Sequence, residues 1–403
     1  MTSNRYRKRQ ISKKNESIDR HETGGSPTPN TLTCHTPTPT GNMQAAKDVL
    51  QLTAEEEEEA RRFAMRLTMG CCLPLTLKVA IELELLETIV KAGPGAMLSP
   101  ADIAAGLPTA NPQATDMVDR ILRLLAANGI LGWSLEAGGV DGRPTCKYGA
   151  APVCKYLTRN EDGVSMAALT LLVHDKITME SCYYLKDAVL EGGIPFKKAH
   201  GITAFEHHGN DPRFNKLFND SMRNHSTILI KQLLETYRGF DDVKVLVDVG
   251  GGTGATLHMI TSRHSHVKGI NFDLPHVISG APPYPGVEHI SGDMFESVPS
   301  GGDAIIMKVT TLLHFDCARI LENCWKALPK KGKVILVEYL LPMIPEQNSN
   351  SQGIFELDIG MMVHTGGRER TQEELEALAN EAGFVGFKAT YISTYAWLIE
   401  FTK

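Results

Sequence analysis

The glycine-rich turn at residues 250–254 restricts the fold of this chain more than any other feature. It follows the apolar run 243–249, and its glycines let the backbone turn sharply and let N–H groups approach a ligand. The next apolar run ends at Asp273, where a carboxylate can accept hydrogen bonds from the hydroxyls of a ribose. A strand, a glycine turn and an acid in this order predict a nucleotide-binding α/β domain.

From residue 243 onward, apolar runs of strand length alternate with helical segments. This alternation predicts a Rossmann-like, doubly wound α/β sheet. The predicted strands are 243–249, 267–272, 287–291, 304–308, 333–338, 387–392 and 395–401.

The letters of the glycine turn fit two kinds of cofactor. Gly250-x-Gly252-x-x-Ala255 satisfies the dinucleotide fingerprint, and Asp248-x-Gly250-x-Gly252-x-Gly254 is the pattern usual for S-adenosylmethionine. The turn alone therefore leaves an NAD-dependent oxidoreductase and a methyltransferase open.

Two later strand ends favour S-adenosylmethionine. The third predicted strand is followed by Asp293 and Met294, which suit an adenine amine and an adenine ring, and the fourth ends at Lys308. Ligands bind at the carboxyl ends of such a sheet, so the coincidence of these residues carries more weight than each does alone.

Charge and composition distinguish residues 1–42 from the rest of the chain. Residues 1–42 carry seven basic and three acidic side chains, so the net charge of −6 divides into +4 for this tail and −10 for the rest. The tail has few apolar residues, and we expect it to be disordered. Its acids weigh against a transit peptide, which favours a cytoplasmic protein.

Residues 43–164 form a predicted winged-helix domain, and residues 165–403 form a second domain, which carries the glycine turn. We expect helices at 54–92 and 116–128, an N-cap at Ser99, and two strands around a turn at 138–142.

Arg120 and Arg123 are the only basic residues of the helix predicted at 116–128, so nucleic acid is not an expected partner. Apolar runs of membrane-spanning length are absent, and the eight cysteines contain no C-x-x-C pair, so we expect neither a membrane partner nor a zinc site.

Residues 52–401 resemble the plant caffeic acid O-methyltransferase family. The resemblance rests on residues 246–254, 269–276, 284–289 and 292–295, and on the segments 193–196, 211–216 and 366–371. It implies a homodimer in which residues 43–164 are the dimerisation domain and residues 165–403 the catalytic domain. The enzyme would transfer a methyl group from S-adenosylmethionine to a phenolic hydroxyl, without a metal.

The resemblance also implies a role for individual residues. The cofactor contacts would be Gly250, Gly252, Gly254, Asp273, Asp293, Met294 and Lys308. His314 would be the catalytic base, with Glu338 and Glu369 as the carboxylates beside it. The substrate pocket would include Leu172, Phe214, Phe218, Met222, His225, Met361 and His364. Periodicity alone indicates that the stripe from 214 to 225 is one apolar helix face.

The sequence departs from the family pattern at two places. The segment between Lys308 and Asn323 is two residues shorter and lacks the family's tryptophans, and its histidine follows Lys308 by six residues instead of four. Near the substrate, Val173 replaces an asparagine, and the segment after His364 is one residue shorter. A catalytically impaired paralogue that still binds the cofactor and dimerises is therefore the alternative to an active enzyme.

Overall fold

The computed structural model describes residues 52–137, 144–308 and 314–403, with residues 314–316 described as backbone alone. The chain divides into two units, Met1–Thr68 and Met69–Lys403. The described part of the first unit is dominated by helix α1 (Ala54–Thr68), which has acids in its first turn, where they suit the helix dipole. The predicted tail at 1–42 lies outside the described residues, and the proposed domain boundaries stay predictions.

The second unit begins with a small helical region that carries a hairpin. Its elements are α2 (Cys72–Glu82), α3 (Leu85–Lys91), α4 (Pro100–Ala104), α5 (Ala114–Ala127), β1 (Leu131–Glu136), β2 (Thr145–Ala150) and α6 (Cys154–Leu157). β1 and β2 pair antiparallel, as the winged-helix prediction requires. The predicted turn at 138–142 lies outside the described residues.

The predicted helical structure over 54–92 is confirmed, but two breaks interrupt it. The segment forms three helices, α1, α2 and α3. Gly70, a poor helix former, lies in the first break. At the second break Glu84 adopts the left-handed conformation, with φ of 53°, which ends the helical hydrogen-bond pattern.

The predicted cap at Ser99 is confirmed. The Ser99 side chain accepts a hydrogen bond from the backbone N–H of Asp102, and the Asp102 carboxylate accepts one from the backbone N–H of Ser99. This reciprocal capping box fixes the start of α4.

Six helices lie between residues 167 and 236. They are α7 (Ala167–Val173), α8 (Lys176–Cys182), α9 (Leu185–Glu191), α10 (Pro195–His200), α11 (Ala204–Asn210) and α12 (Pro212–Thr236). Among the described residues, no single helix has the length and apolarity of a membrane span, although α1 and α2 together reach them across a bent break.

The C-terminal part is a seven-stranded sheet with helices between its strands, which confirms the predicted fold class. Its elements are β3 (Val245–Val249), α13 (Ala255–Arg263), β4 (Lys268–Asp273), α14 (Pro275–Ile278), β5 (Val287–Ser291), β6 (Ala304–Lys308), α15 (His314–Ala327), β7 (Lys333–Tyr339), α16 (Ser349–His364), α17 (Gln372–Glu381), β8 (Gly386–Ser393) and β9 (Ala396–Thr402).

The order of strands in the sheet is β5-β4-β3-β6-β7-β9-β8. The first five strands in this order are parallel, and β9 runs antiparallel to both of its neighbours. The chain order reverses between β3 and β6, and ligands bind beside the carboxyl ends of strands at such a switch point.

Both faces of the sheet are buried. Neighbouring residues Ile305 and Ile306 of β6 belong to two different apolar clusters, and Val247 and Leu246 of β3 divide in the same way. Side chains of a strand alternate between faces, so continuous apolar runs are required here. This packing holds the carboxyl edge of the sheet in place.

Candidate active site

The glycine turn leaves β3 and leads into α13. Gly250, Gly252 and Gly254 have φ of 73°, 60° and 84°, a region in which residues with a Cβ atom are strained. Gly254 is the N-cap residue of α13. A Cβ atom on Gly250 or Gly252 would meet no atom within 4 Å, so one side of the turn is open to a ligand.

Asp273 ends β4 and holds the glycine turn. Its Oδ2 atom accepts a hydrogen bond of 2.8 Å from the N–H of Gly252, and its Oδ1 atom accepts one of 2.7 Å from the N–H of Leu274. Each carboxylate oxygen has a further lone pair, so Asp273 can still accept from the hydroxyls of a ribose.

Asp293 and Met294 follow β5 at the same edge. The Oδ1 atom of Asp293 accepts a hydrogen bond of 2.8 Å from the N–H of Phe295, which fixes the carboxylate. Met294 packs against the core, and its carbonyl accepts a hydrogen bond of 2.9 Å from the side chain of Asn323. The structure thus brings both residues to the edge that carries the glycine turn.

Buried charges lie beneath the turn. Burial raises the pKa of Asp248 to about 7, against the opposing effect of Lys308. Burial lowers the pKa of Lys308, while the carboxylates of Asp248 and Glu338 oppose this shift. The sequence motif contains Asp248, but motif reading assigned it no role. The signal that could have revealed it is an acid inside a strand that is otherwise apolar.

Glu338 and Glu369 line one pocket, as the predicted pair requires. Glu338 is in β7, Glu369 precedes α17, and both side chains are buried. Burial, then the nearby carboxylates of Glu338 and Asp358, raises the pKa of Glu369 to about 8. The Asp358 carboxylate also accepts a hydrogen bond of 2.7 Å from the N–H of Glu369. Near pH 7 this pair therefore holds a proton on Glu369.

The predicted base, His314, is the first residue of α15, and its side chain lies outside the described residues, as do residues 309–313. Cys317, three residues further along α15, lines the pocket that contains Glu338 and Glu369. Residues three apart lie on neighbouring positions of one helix face. The start of α15 is therefore close to the carboxylate pair.

An apolar cluster surrounds one end of α12. It contains four of the predicted substrate residues: Leu172, Phe214, Phe218 and Met222. Phe214 is fully buried within it. His364 of α16 is stacked parallel to Phe218, with ring centroids 6.3 Å apart, and Met361 precedes His364 by three residues on α16.

His225 lies apart from this cluster. Its Nε2 atom makes a short hydrogen bond with the hydroxyl of Tyr339, which lines the carboxylate pocket. Burial, and secondarily Lys308, lowers the pKa of His225 to about 4, so the imidazole is neutral. His225 therefore connects the C-terminal end of the α12 stripe, through Tyr339, to the pocket of the carboxylate pair.

Sequence reasoning missed His208, whose imidazole lies with that of the predicted His364 beside the apolar cluster. His208 of α11 packs on Phe218 with ring centroids 4.2 Å apart, and its ring lies 5.7 Å from that of His364. Burial lowers the pKa of both imidazoles to about 4. Spacing in the sequence gives no sign of this contact, because the rings come from three separate helices.

Comparisons with known proteins agree with this geometry. A model of the O-methyltransferase domain matches residues 182–385, and a model of the O-methyltransferase dimerisation domain matches residues 65–160. The chain is 58% identical to tricetin 3',4',5'-O-trimethyltransferase of Triticum aestivum, over 87% of this chain and 99% of that protein. It is 57% identical to a caffeic acid 3-O-methyltransferase of Catharanthus roseus, over 87% of this chain and 96% of that protein.

A solved structure of human N-acetylserotonin methyltransferase in complex with S-adenosylmethionine shares the fold, with a TM-score of 0.71 and 19% identity over 87% of this chain and 99% of that one. At this identity the likeness establishes the fold alone. The family models and the curated relatives, however, cover both the dimerisation region and the sheet that carries the site. The chain therefore belongs to the O-methyltransferase family.

Proposed function

We propose that this chain transfers the methyl group of S-adenosylmethionine to a phenolic hydroxyl of a small aromatic metabolite, of the caffeic acid or flavonoid type. The observation that carries this proposal is that two groups of functional residues lie at the carboxyl edge of the same sheet. The glycine turn with Asp273 would hold the nucleoside, and the buried Glu338, which shares a pocket with Glu369, is on β7, two strands away from β3. The relatives named after tricetin and caffeic acid supply the substrate class.

The residues present fit S-adenosylmethionine. The open side of Gly250 and Gly252 leaves room for a ligand against the backbone. Asp248 Oδ2 is buried and has no hydrogen-bond partner in the described part of the chain, so an acidic group with spare hydrogen-bonding capacity lies beside the turn. When bound, this cofactor supplies an electrophilic methyl group. Asp273 would bind the ribose of the cofactor, and Asp293 and Met294 would bind its adenine. Lys308, at the end of β6, would lie next to the bound cofactor.

The chain's contribution to the reaction is alignment and removal of a proton. A phenol ordinarily has a pKa of about 10, so few molecules are ionised at neutral pH. His314 would accept the phenolic proton while the oxygen attacks the methyl carbon, and Glu338 and Glu369 would orient the imidazole. The apolar cluster around Phe218 would hold the aromatic ring against α12.

Binding calorimetry tests the cofactor assignment. We expect S-adenosylhomocysteine to bind at micromolar concentration and NAD to show no heat of binding. The reverse result would contradict the methyltransferase reading and support an oxidoreductase. Binding of S-adenosylhomocysteine without turnover on any phenol would instead favour the impaired paralogue.

The substitution Val173→Asn tests substrate discrimination. Val173 ends α7 next to Leu172, and it cannot pair with a polar ring substituent. We expect the unaltered chain to differ by less than about tenfold in kcat/KM between acceptors with and without one extra ring hydroxyl, and the asparagine to widen that ratio beyond tenfold. Steady-state kinetics on matched acceptors measure the ratio. An unchanged ratio would place the specificity of the site elsewhere.

We also propose that the enzyme is a homodimer, since the dimerisation model matches residues 65–160. Helix α1 exposes Phe63, Met65 and Leu67, each more than half accessible in the single chain. Light scattering after size exclusion should give twice the chain mass of 44.1 kDa. The double variant Phe63→Asp, Leu67→Asp should shift the mass to that of one chain, and a monomeric unaltered protein would contradict the proposal.

A further inference from the structure

Two side chains behind the glycine turn, Asn271 of β4 and His289 of β5, contact it from the side opposite its open face. We propose that Asn271 and His289 are positioning residues. They act together to orient the carbonyl of Gly252, and with it the Gly252–Thr253 peptide group, for the nucleoside part of the cofactor. This inference rests on the proposed function, because it names what holds the turn that would bind S-adenosylmethionine.

Asn271 is fully buried, and its side-chain amide reaches the turn. The Nδ2 atom donates a hydrogen bond of 2.9 Å to the carbonyl of Gly252. A carbonyl oxygen can only accept a hydrogen bond, so the amide group of Asn271 must have its nitrogen, and not its oxygen, toward the carbonyl of Gly252. The carbonyl of Gly252 is thus held by Asn271 while its N–H is held by Asp273. Gly252 is therefore held by hydrogen bonds at both its N–H and its carbonyl, in a conformation with φ of 60°.

His289 determines how this amide is oriented. Its Nδ1 atom lies 3.1 Å from Nδ2 of Asn271, and its Nε2 atom lies 3.0 Å from the carbonyl oxygen of Pro282. The amide nitrogen is a donor, so Nδ1 must accept. The carbonyl of Pro282 is an acceptor, so Nε2 must carry the proton. Both contacts require the same neutral tautomer, with its proton on Nε2.

The two side chains also determine where the turn can run. A Cβ atom on Gly251 would lie 2.2 Å from Oδ1 of Asn271, and one on Gly254 would lie 3.0 Å from Cε1 of His289. The turn is therefore packed directly against this pair. Loss of the acceptor at Nδ1 leaves a buried N–H of Asn271 unsatisfied and frees the amide to turn away from Gly252.

The test replaces His289 by side chains that keep one of its two contacts. In His289→Asn, the new amide oxygen takes the place of Nδ1 and can accept the hydrogen bond from Nδ2 of Asn271. In His289→Gln, the longer side chain keeps a donor toward Pro282 but offers no acceptor at that place. His289→Leu removes both contacts. The matched control is His258→Leu on α13, whose ring stacks on Tyr284 at 4.3 Å and has no hydrogen bond to the turn among the described residues.

Calorimetry with S-adenosylhomocysteine is the main measurement. We expect His289→Leu and His289→Gln to raise its Kd about tenfold, the factor expected for one lost hydrogen bond of this kind. His289→Asn should stay within about threefold of the unaltered chain, and His258→Leu should leave the Kd unchanged. In kinetics, His289→Leu should raise KM for S-adenosylmethionine with kcat within about twofold.

Three results would overturn the inference: unchanged affinity in His289→Leu, equal loss in the asparagine and glutamine variants, or equal loss in the His258→Leu control. Thermal unfolding of each ligand-free variant separates a general loss of stability from a loss of affinity. Absence of binding by the unaltered chain would overturn the proposed function as well, so the two failures can be told apart.

Discussion

Gly251→Ala is expected to lower the free energy of unfolding by about 3 kcal/mol and to weaken binding of S-adenosylhomocysteine about 100-fold. The added Cβ atom would lie 2.2 Å from Oδ1 of Asn271 and 2.6 Å from Cγ of Asp248. Both side chains are buried, so neither can move without displacing the turn. Urea unfolding and calorimetry measure the two effects.

Gly209→Ala is the control for this substitution. Gly209 is exposed on α11, and an added Cβ atom would meet no atom within 4 Å. Alanine favours a helix over glycine, so we expect equal or slightly greater stability and unchanged cofactor affinity. Normal affinity in Gly251→Ala would show that the packing of the turn against Asn271 does not matter for the cofactor.

Glu369→Gln is expected to change how stability depends on pH. The pKa of Glu369 is raised to about 8 in the folded chain, mainly by burial and by Glu338. Between pH 4.5 and 8 the folded state thus binds a proton that the unfolded state has released, so stability falls as pH rises through this window. A pKa raised from 4.5 to about 8 corresponds to about 5 kcal/mol of stability lost across this window, and the glutamine variant lacks this dependence.

Urea unfolding at pH 5, 6.5 and 8 measures this dependence. The unaltered chain should lose stability relative to Glu369→Gln as pH rises, whereas Glu376→Gln, which changes an exposed glutamate of α17, should follow the unaltered chain. Asp248 contributes a slope of the same sign in all three proteins, so the difference reports the Glu369 carboxyl group together with its coupling to Glu338. Parallel curves for the unaltered chain and Glu369→Gln would contradict the assignment of a buried, protonated carboxyl group.

The fold was predictable because local signals agree with one another along the C-terminal part. The apolar runs are short, and each is followed by a turn or a helix start. Two of the predicted strands, β5 and β6, have the predicted bounds. The breaks within the helical stretch 54–92 were not predicted, because apolar residues lie on both sides of Gly70 and Glu84 and hide the breaks from periodicity.

The site was predictable where its residues share one strand edge. Asp273, Asp293 and Lys308 follow or end successive strands, and parallel strands bring such positions together. The partners that hold these residues were not predictable. The contact of Asn271 with Gly252, and that of His208 with Phe218, join side chains from different elements whose register only the folded chain defines.

The roles of Glu338 and Glu369 came from the family resemblance. Glu338 stands in the largely apolar strand β7, but nothing in the sequence links it to Glu369, whose context before α17 is that of an ordinary surface acid. Burial of both in one pocket now supports the pairing independently. His314 stays a prediction, because its side chain lies outside the described residues.

The most direct test of the proposed activity is methyl transfer from isotope-labelled S-adenosylmethionine to a catechol such as caffeic acid, by the unaltered chain and by His314→Ala. We expect labelled mono-methyl product from the unaltered chain and a loss of at least about 100-fold in kcat in the variant. Turnover that survives His314→Ala would contradict the base assignment, and the absence of labelled product from any phenol, with the cofactor bound, would contradict the proposed activity.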